Sequence, residues 1–194
     1  EVFNYIFLVG TESLGAYRLE GYLFPDTYEF YVGMQASSAI NKMLDNFNRK
    51  ITEDMQARLD ELGMSLREVI NVASLIEKEA ANDSERPVIA SVIYNRLNYD
   101  TPLGIDAAVL YPYPEHEGAP TAEMLAKDDP YNTRIKLGLP PTPISNPGIA
   151  SINAALWPDA TDYFYYALDT ATGTHQFFTN EGDFNSFVAT QDYE

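Results

Sequence analysis

The chain has 194 residues, a size suited to one domain, and its 45% hydrophobic content, with 14 Tyr and 10 Phe beside the single Trp157, can bury a sizeable core. Its 29 acidic against 12 basic residues leave a formal charge of −17 with no basic run, which excludes a nucleic-acid partner held by its phosphates. Cysteine is absent, which excludes thiol catalysis and cysteine-ligated metal, and no stretch reaches the roughly 18 apolar residues of a membrane span. The opening Glu1-Val2-Phe3-Asn4 carries neither an initiator Met nor a charged leader, as expected of a fragment of a longer chain.

Residues 1–17 show no clear period and read as a strand or an ordered lead-in. The segment from Leu19 to Phe30 is dense in aromatics and broken by Gly21 and Pro25, which suits an irregular segment packed against a core. From Ser38 to Leu62, Ile40, Met43, Leu44, Phe47, Ile51, Met55 and Leu59 recur at helical spacing, and Gly63 ends the run. A second helix opens at Ser65, where Glu68 three residues on completes a capping-box pattern, and it continues to Ala80. Its apolar stripe is Val69, Val72, Ala73, Ile76 and Ala80, with Arg67, Asn71, Ser74 and Lys78 opposite. Asn82-Asp83-Ser84 reads as a break and a new cap, followed by a helix with Pro87 in its first turn and an end near Asn98. Residues 101–148 hold most of the prolines, and their aromatics favour an ordered functional loop. Gly148 to Trp157 reads as a short helix. Residues 163–168 and 174–178, flanking Asp169–Gly173, read as a β-hairpin.

Two carboxylates interrupt the apolar helix from Ser65 to Ala80. Glu77 lies at one edge of its stripe, beside Leu66, Ile70 and Ala73, and Glu79 at the other, flanked by Val72, Leu75 and Ile76. A half-buried carboxyl among apolar neighbours has a raised pKa, as a general acid near neutral pH requires; the competing reading is an ion pair at a helix-packing seam. Helical position alone does not choose between the two. Only His116 and His175 are present, so a His-Glu-x-x-His zinc helix is excluded, and His175 reads as structural or as a minor substrate contact. Neither a nucleophile elbow nor a phosphate-loop or dinucleotide fingerprint occurs, so no nucleotide cofactor and no metal are expected. Acid/base chemistry by carboxylates in an aromatic cleft remains, a combination that fits carbohydrate cleavage.

Several motifs then point to one family. Glu20-Gly21-Tyr22-Leu23-Phe24-Pro25-Asp26-Thr27-Tyr28, Ala73-Ser74-Leu75-Ile76-Glu77-Lys78-Glu79, Ser84-Glu85-Arg86 and Ala90-Ser91-Val92-Ile93-Tyr94-Asn95-Arg96-Leu97 resemble, in order, the motifs of the endolytic murein transglycosylases (YceG-like). Leu103 to Asp106, Tyr131-Asn132-Thr133, Gly138-Leu139-Pro140-Pro141 and Pro143 to Gly148 continue the match, which runs from about residue 19 to 187. One position departs from it: where many members carry Leu-Gln-x-Asp, this chain has Leu103-Gly104-Ile105-Asp106.

The resemblance implies an α+β fold over a single domain, 1–194, with 1–18 as lead-in: a helical lysozyme-like catalytic core, a long proline-rich loop and a C-terminal β-hairpin. It implies non-hydrolytic, endo-acting cleavage of the MurNAc-β-1,4-GlcNAc bond of peptidoglycan, leaving 1,6-anhydro-MurNAc ends, without a cofactor. The second Glu of the helix motif, Glu79, maps to the catalytic acid. Glu77 is then expected in a structural pair with Arg86 or Arg96. Asn95, Asp106, Tyr131, Asn132 and Thr133 are expected either to contact the sugar or to scaffold the loops. Expected partners are glycan strands and cell-wall synthases (penicillin-binding proteins). The expected location is extracytoplasmic at the bacterial cell membrane, through an anchor upstream of Glu1. Two alternatives stay open: a hydrolytic muramidase, and a catalytically silent glycan-binding module.

Overall fold

The computed structural model describes residues 3–193. Two 3₁₀ segments, Ile6–Leu8 and Glu12–Leu19, replace any strand in the lead-in, whose first two residues lie outside the described ones. Phe7 stacks on Tyr22 and meets Phe47 edge-on, which ties the lead-in to the core. The predicted helix over 38–62 is in fact two, α1 (Ala36–Lys50) and α2 (Glu53–Leu62). Ile51 and Thr52 are extended, and the Thr52 hydroxyl accepts from the Met55 N–H as an N-cap, with Glu53 and Asp54 favouring the new N-terminus. The four-residue apolar spacing carries across this break, so periodicity alone conceals it. Gly63 closes α2 in the left-handed conformation.

Helix α3 (Leu66–Glu79) begins at the expected capping box: Ser65 accepts from the Glu68 N–H, and the Glu68 carboxylate accepts from the Ser65 N–H at 2.8 Å. The expected polar face is a correction. Every residue from Val69 to Ile76 is buried, Asn71 and Ser74 included. The proline-rich segment covers that face and supplies part of the hydrogen bonding water would have given, although Asn71 Oδ1 has no partner among the described residues. Asn71 Nδ2 donates to the Pro140 carbonyl at 2.7 Å, and Ser74 Oγ accepts from the Ile144 N–H at 3.0 Å.

The next helix, α4 (Arg86–Asn98), has Glu85 and not Ser84 at its N-cap position, with no side-chain cap bond. Asn82 spends its side-chain oxygen on a local turn, accepting from the Ser84 N–H at 3.0 Å, and this delays the helix. Within the proline-rich loop stand two single-turn helices, α5 (Asp106–Leu110) and α6 (Ala122–Ala126). Helix α7 (Ile149–Leu156) matches its expected span and packs against α3 and α4 to form the core. Strands β1 (Tyr165–Asp169) and β2 (Thr174–Phe178) form the expected antiparallel hairpin, with β1 starting two residues later than read, and Leu168 pairs with His175. A last helix, α8 (Glu181–Val188), was not expected. It is capped by Asn180 and packs Phe184 and Phe187 against Phe178 of the hairpin. The architecture is α+β, as the motifs implied.

Candidate active site

Glu79 is the last residue of α3, and Ala80 leaves the helix in an extended conformation. The rigid, buried helix therefore delivers one carboxyl to its own end, where a cleft of about 560 Å³ opens. Glu79 lines this cleft with Asp106, Arg134, Tyr166, His175 and Phe184. The Tyr166 hydroxyl donates to Glu79 Oε2 at 2.7 Å. Among the described residues Oε1 has no such partner, so one oxygen is held and the other is left to the cleft. Burial pushes the Glu79 carboxyl up; the Tyr166 hydrogen bond and the positive charges of His175 and Arg134 partly oppose this, and Asp106 reinforces it. Burial, with the adjacent carboxyl, also drives Tyr166 well above the ordinary phenol range, so it remains a donor.

Glu77, two residues earlier, is used otherwise. Its Oε2 accepts from the Gly148 N–H at 3.1 Å and the Ser151 hydroxyl at 2.6 Å, and lies 3.4 Å from Arg86. It thus holds the N-terminal turn of α7 against α3. Of the two arginines weighed for it, Arg86 is the partner.

A second carboxylate organises the hairpin. Glu85, buried with 6% exposure, accepts from the His175 N–H at 2.9 Å and lies 2.8 Å from His175 Nδ1. It also accepts from Asn82 Nδ2 and the Ala81 N–H. Burial pushes this carboxyl up, yet the four hydrogen bonds and the His175 charge outweigh it and hold Glu85 below the ordinary carboxylate range. Such an acceptor retains the proton on Nδ1 and turns Nε2 away from Glu85. The His175 ring meets Tyr166 edge-on, with centroids 5.3 Å apart. Glu85, His175, Tyr166 and Glu79 form a continuous series from the α3–α4 turn, through the hairpin, to the helix end.

The other expected site residues divide. Asp106 reaches the cleft, where its Oδ1 accepts from Arg134 Nε at 2.8 Å and lies 2.6 Å from Nη2. Asn95, Tyr131, Asn132 and Thr133 do not line it. Asn95 Nδ2 donates to the carbonyls of Thr161 and Tyr163, which fixes the approach to the hairpin. Asn132 is 1% exposed, and its amide donates to the carbonyls of Met124, Leu125 and Lys127. Thr133 Oγ1 accepts from the Ile105 N–H and donates to the Ile105 carbonyl, both at 3.0 Å. Tyr131 pairs its hydroxyl with Thr142 and tilts against Tyr111. These four polar side chains are spent on loop backbone or on each other, and they act on the cleft by holding Gly104–Asp106 and the hairpin in place. Tyr166 and Arg134 escaped the reading of the sequence, Arg96 was weighed only as a partner for Glu77, and His175 was read as structural or minor. The Tyr–Phe-rich strand and the arginine of Asn95-Arg96 were visible, but nothing local showed that they meet Glu79.

Comparison with known proteins identifies the family. The model of the YceG-like family matches residues 5–190. The chain is 40% identical over 148 residues to an endolytic murein transglycosylase of Bacillus subtilis, covering 76% of this chain and 41% of that protein. It is 33% identical over 183 residues to an endolytic murein transglycosylase of Streptococcus pneumoniae, covering 92% of this chain and 33% of that protein. The chain therefore spans a third to two-fifths of the length of these curated relatives. The crystal structure of a YceG-like protein from Listeria monocytogenes superposes with a TM-score of 0.84 at 38% identity, covering 92% of this chain and 59% of that one.

Proposed function

Because this chain belongs to the YceG-like family, we propose that it is the catalytic portion of an endolytic murein transglycosylase that breaks the MurNAc-β-1,4-GlcNAc bond without water. The observation that carries this reading is the Glu79 carboxyl at the end of its helix, with Oε2 held by Tyr166 and Oε1 left to the cleft. In its neutral form the carboxyl carries its proton on Oε1, and that proton passes to the glycosidic oxygen as the bond to the anomeric carbon of MurNAc breaks. Oxocarbenium character develops at that carbon. The Glu79 carboxylate, stabilised by the Tyr166 hydroxyl and the nearby His175, then takes the proton of the MurNAc C6 hydroxyl, whose oxygen bonds to the anomeric carbon. The result is a 1,6-anhydro end and a free GlcNAc O4 hydroxyl; no water is consumed and Glu79 is again protonated. The C6 hydroxyl is tethered to the reacting ring, and its effective concentration replaces an enzymic nucleophile.

The disposition of Asp106 favours this reading over a hydrolytic muramidase. A hydrolase of the two-carboxylate kind needs a second carboxylate free to act as base or nucleophile. Asp106 is instead engaged by the Arg134 guanidinium. An extracytoplasmic site at the cell membrane, beside the cell-wall synthases, belongs to the same proposal. The test is mass spectrometry of the ends released from uncrosslinked glycan strands. Anhydro-MurNAc ends are expected; reducing MurNAc ends would replace this reading with the hydrolase.

A further inference from the structure

The cleft brings two arginines and a histidine together on a strongly acidic protein. Arg96, Arg134 and His175 all line it, although the chain has only 12 Lys and Arg against 29 acids. Arg134 has a carboxylate partner in Asp106, and His175 has one in Glu85. Arg96 has none among the described residues. Its Nε donates to the Phe164 carbonyl at 2.6 Å, and its Nη1 donates to the carbonyls of Pro102 and Leu103, both at 2.9 Å. The guanidinium lies over the Tyr165 ring, 5.0 Å from its centroid. These contacts aim the group and leave Nη2 without a protein partner, but neutral carbonyls do not cancel its charge. Burial and the like charge of Arg134 both weigh against its ionised form. A half-buried cation that faces a cleft in this way is completed by an anion.

Gly104 keeps the group accessible. This residue has φ +68° and lines the cleft, and a Cβ there would stand 3.1 Å from Arg96 Nη1. No side chain at 104 therefore covers the guanidinium. The remaining acids of the cleft do not supply the missing charge. Asp106 is engaged by Arg134, Glu181 stands exposed on the first turn of α8, and burial pushes Glu79 toward its neutral form.

We propose that Arg96, with Arg134 beside it, forms a subsite for a carboxylate of the glycan strand close to the scissile bond. The proposal rests on the murein-cleaving reading above and deepens it, because the sugar backbone itself is neutral and murein carries its carboxylates on the stem peptide, or on the lactyl group where the peptide has been removed. The two sources share one chemistry and are separable by substrate.

The experiment measures kcat/KM for strand cleavage on three substrates. These are native peptide-bearing strands, the same strands with their carboxyls converted to neutral amides, and strands stripped of peptide so that only lactyl carboxylates remain. General electrostatics predicts that a protein of charge −17 handles neutralised strands better. The subsite predicts the opposite sign: a fall of about tenfold on neutralised strands, the size of one charge-assisted hydrogen-bonded contact. In Arg96→Gln the native and neutralised strands are expected to be cut equally. Should that variant fail to fold, the neutralised substrate tests the same contact with the protein unchanged. Stripped strands cut like native ones show that the lactyl carboxylate freed by peptide removal fills the subsite as a peptide carboxylate does; stripped strands that behave like neutralised ones assign the peptide carboxylate alone. Wild-type cleavage of neutralised strands at an equal or higher rate overturns the subsite while leaving the cleavage reading intact. No cleavage of any strand overturns both.

Discussion

Glu79 meets two opposed requirements by using its oxygens differently. Oε2 is held by Tyr166, which prepares the group to bear charge after it gives up its proton, while burial favours the protonated form beforehand. Replacing Tyr166 by Phe removes the largest of the influences that lower the Glu79 pKa. The carboxyl then titrates still higher, and the alkaline limb of the pH–rate profile, where Glu79 loses its proton, moves to higher pH. At the same time kcat falls about 10- to 100-fold, as expected for a lost hydrogen bond to a charged group. A pH–rate profile of Tyr166→Phe checks both; an alkaline limb displaced to lower pH would contradict the assigned hydrogen bond. At this scale the sequence was legible in part. Glu77 and Glu79 both stood out at the edges of an apolar stripe, the family motif singled out Glu79, and Glu77 could be paired with nearby basic residues. Tyr166 and His175 lie 87 and 90 residues from their carboxylate partners, and no local pattern encodes such a meeting.

Elements determine whether that meeting occurs. Helix α3 is capped at one end by Ser65 and Glu68, carries Glu79 at the other, and is covered along its polar face by the proline-rich segment. The same segment grips residues 20–24, because Asn146 Oδ1 accepts from the N–H groups of Gly21 and Leu23 at 2.9 and 3.0 Å. Gly21 has φ +92°, and a Cβ there would lie 2.6 Å from Pro143 Cγ and 2.8 Å from Ile70 Cγ2. Gly21→Ala therefore combines backbone strain with overpacking and is expected to cost about 2–4 kcal/mol, read by denaturant unfolding. A loss within experimental error would show that the loop does not press on the helix here. The Ser65–Glu68 capping box, the Gly63 stop, the hairpin and α7 were legible because their signals are local. The α1–α2 break was hidden by apolar spacing that runs through it, and the burial of Asn71 and Ser74 depends on loop partners 69 and 70 residues away. Helix α8 had a local signal in Asn180 and Asp183, masked by the aromatic run before it.

For the molecule as a whole, the helical body supplies the acid and the hairpin supplies the groups that hold it, joined through Glu85–His175, Asn95 and Arg96. The α+β class and the family were legible because the motifs occur in order along the chain. The cleft was not, because its walls come from the end of α3, the loop around Asp106 and Arg134, the hairpin and α8.

The central claim is that one carboxyl on this frame cuts the strand, and Glu79→Gln addresses it with little change in shape. The Glu79 pKa is raised above its ordinary value of 4.5 on folding. Between those two values the unfolded chain releases a proton that the folded one keeps, so rising pH lowers stability through this group. The glutamine removes that cost, and the variant is expected to melt at or above wild type near neutral pH, with the difference shrinking below about pH 4. Inactivity could then not be ascribed to unfolding. The measurement is the rate at which wild type and Glu79→Gln create new ends in purified glycan strands, counted by mass spectrometry. A loss of at least a thousandfold in the folded variant is predicted, about 4 kcal/mol of transition-state stabilisation; cleavage by Glu79→Gln at a rate near wild type would contradict the account.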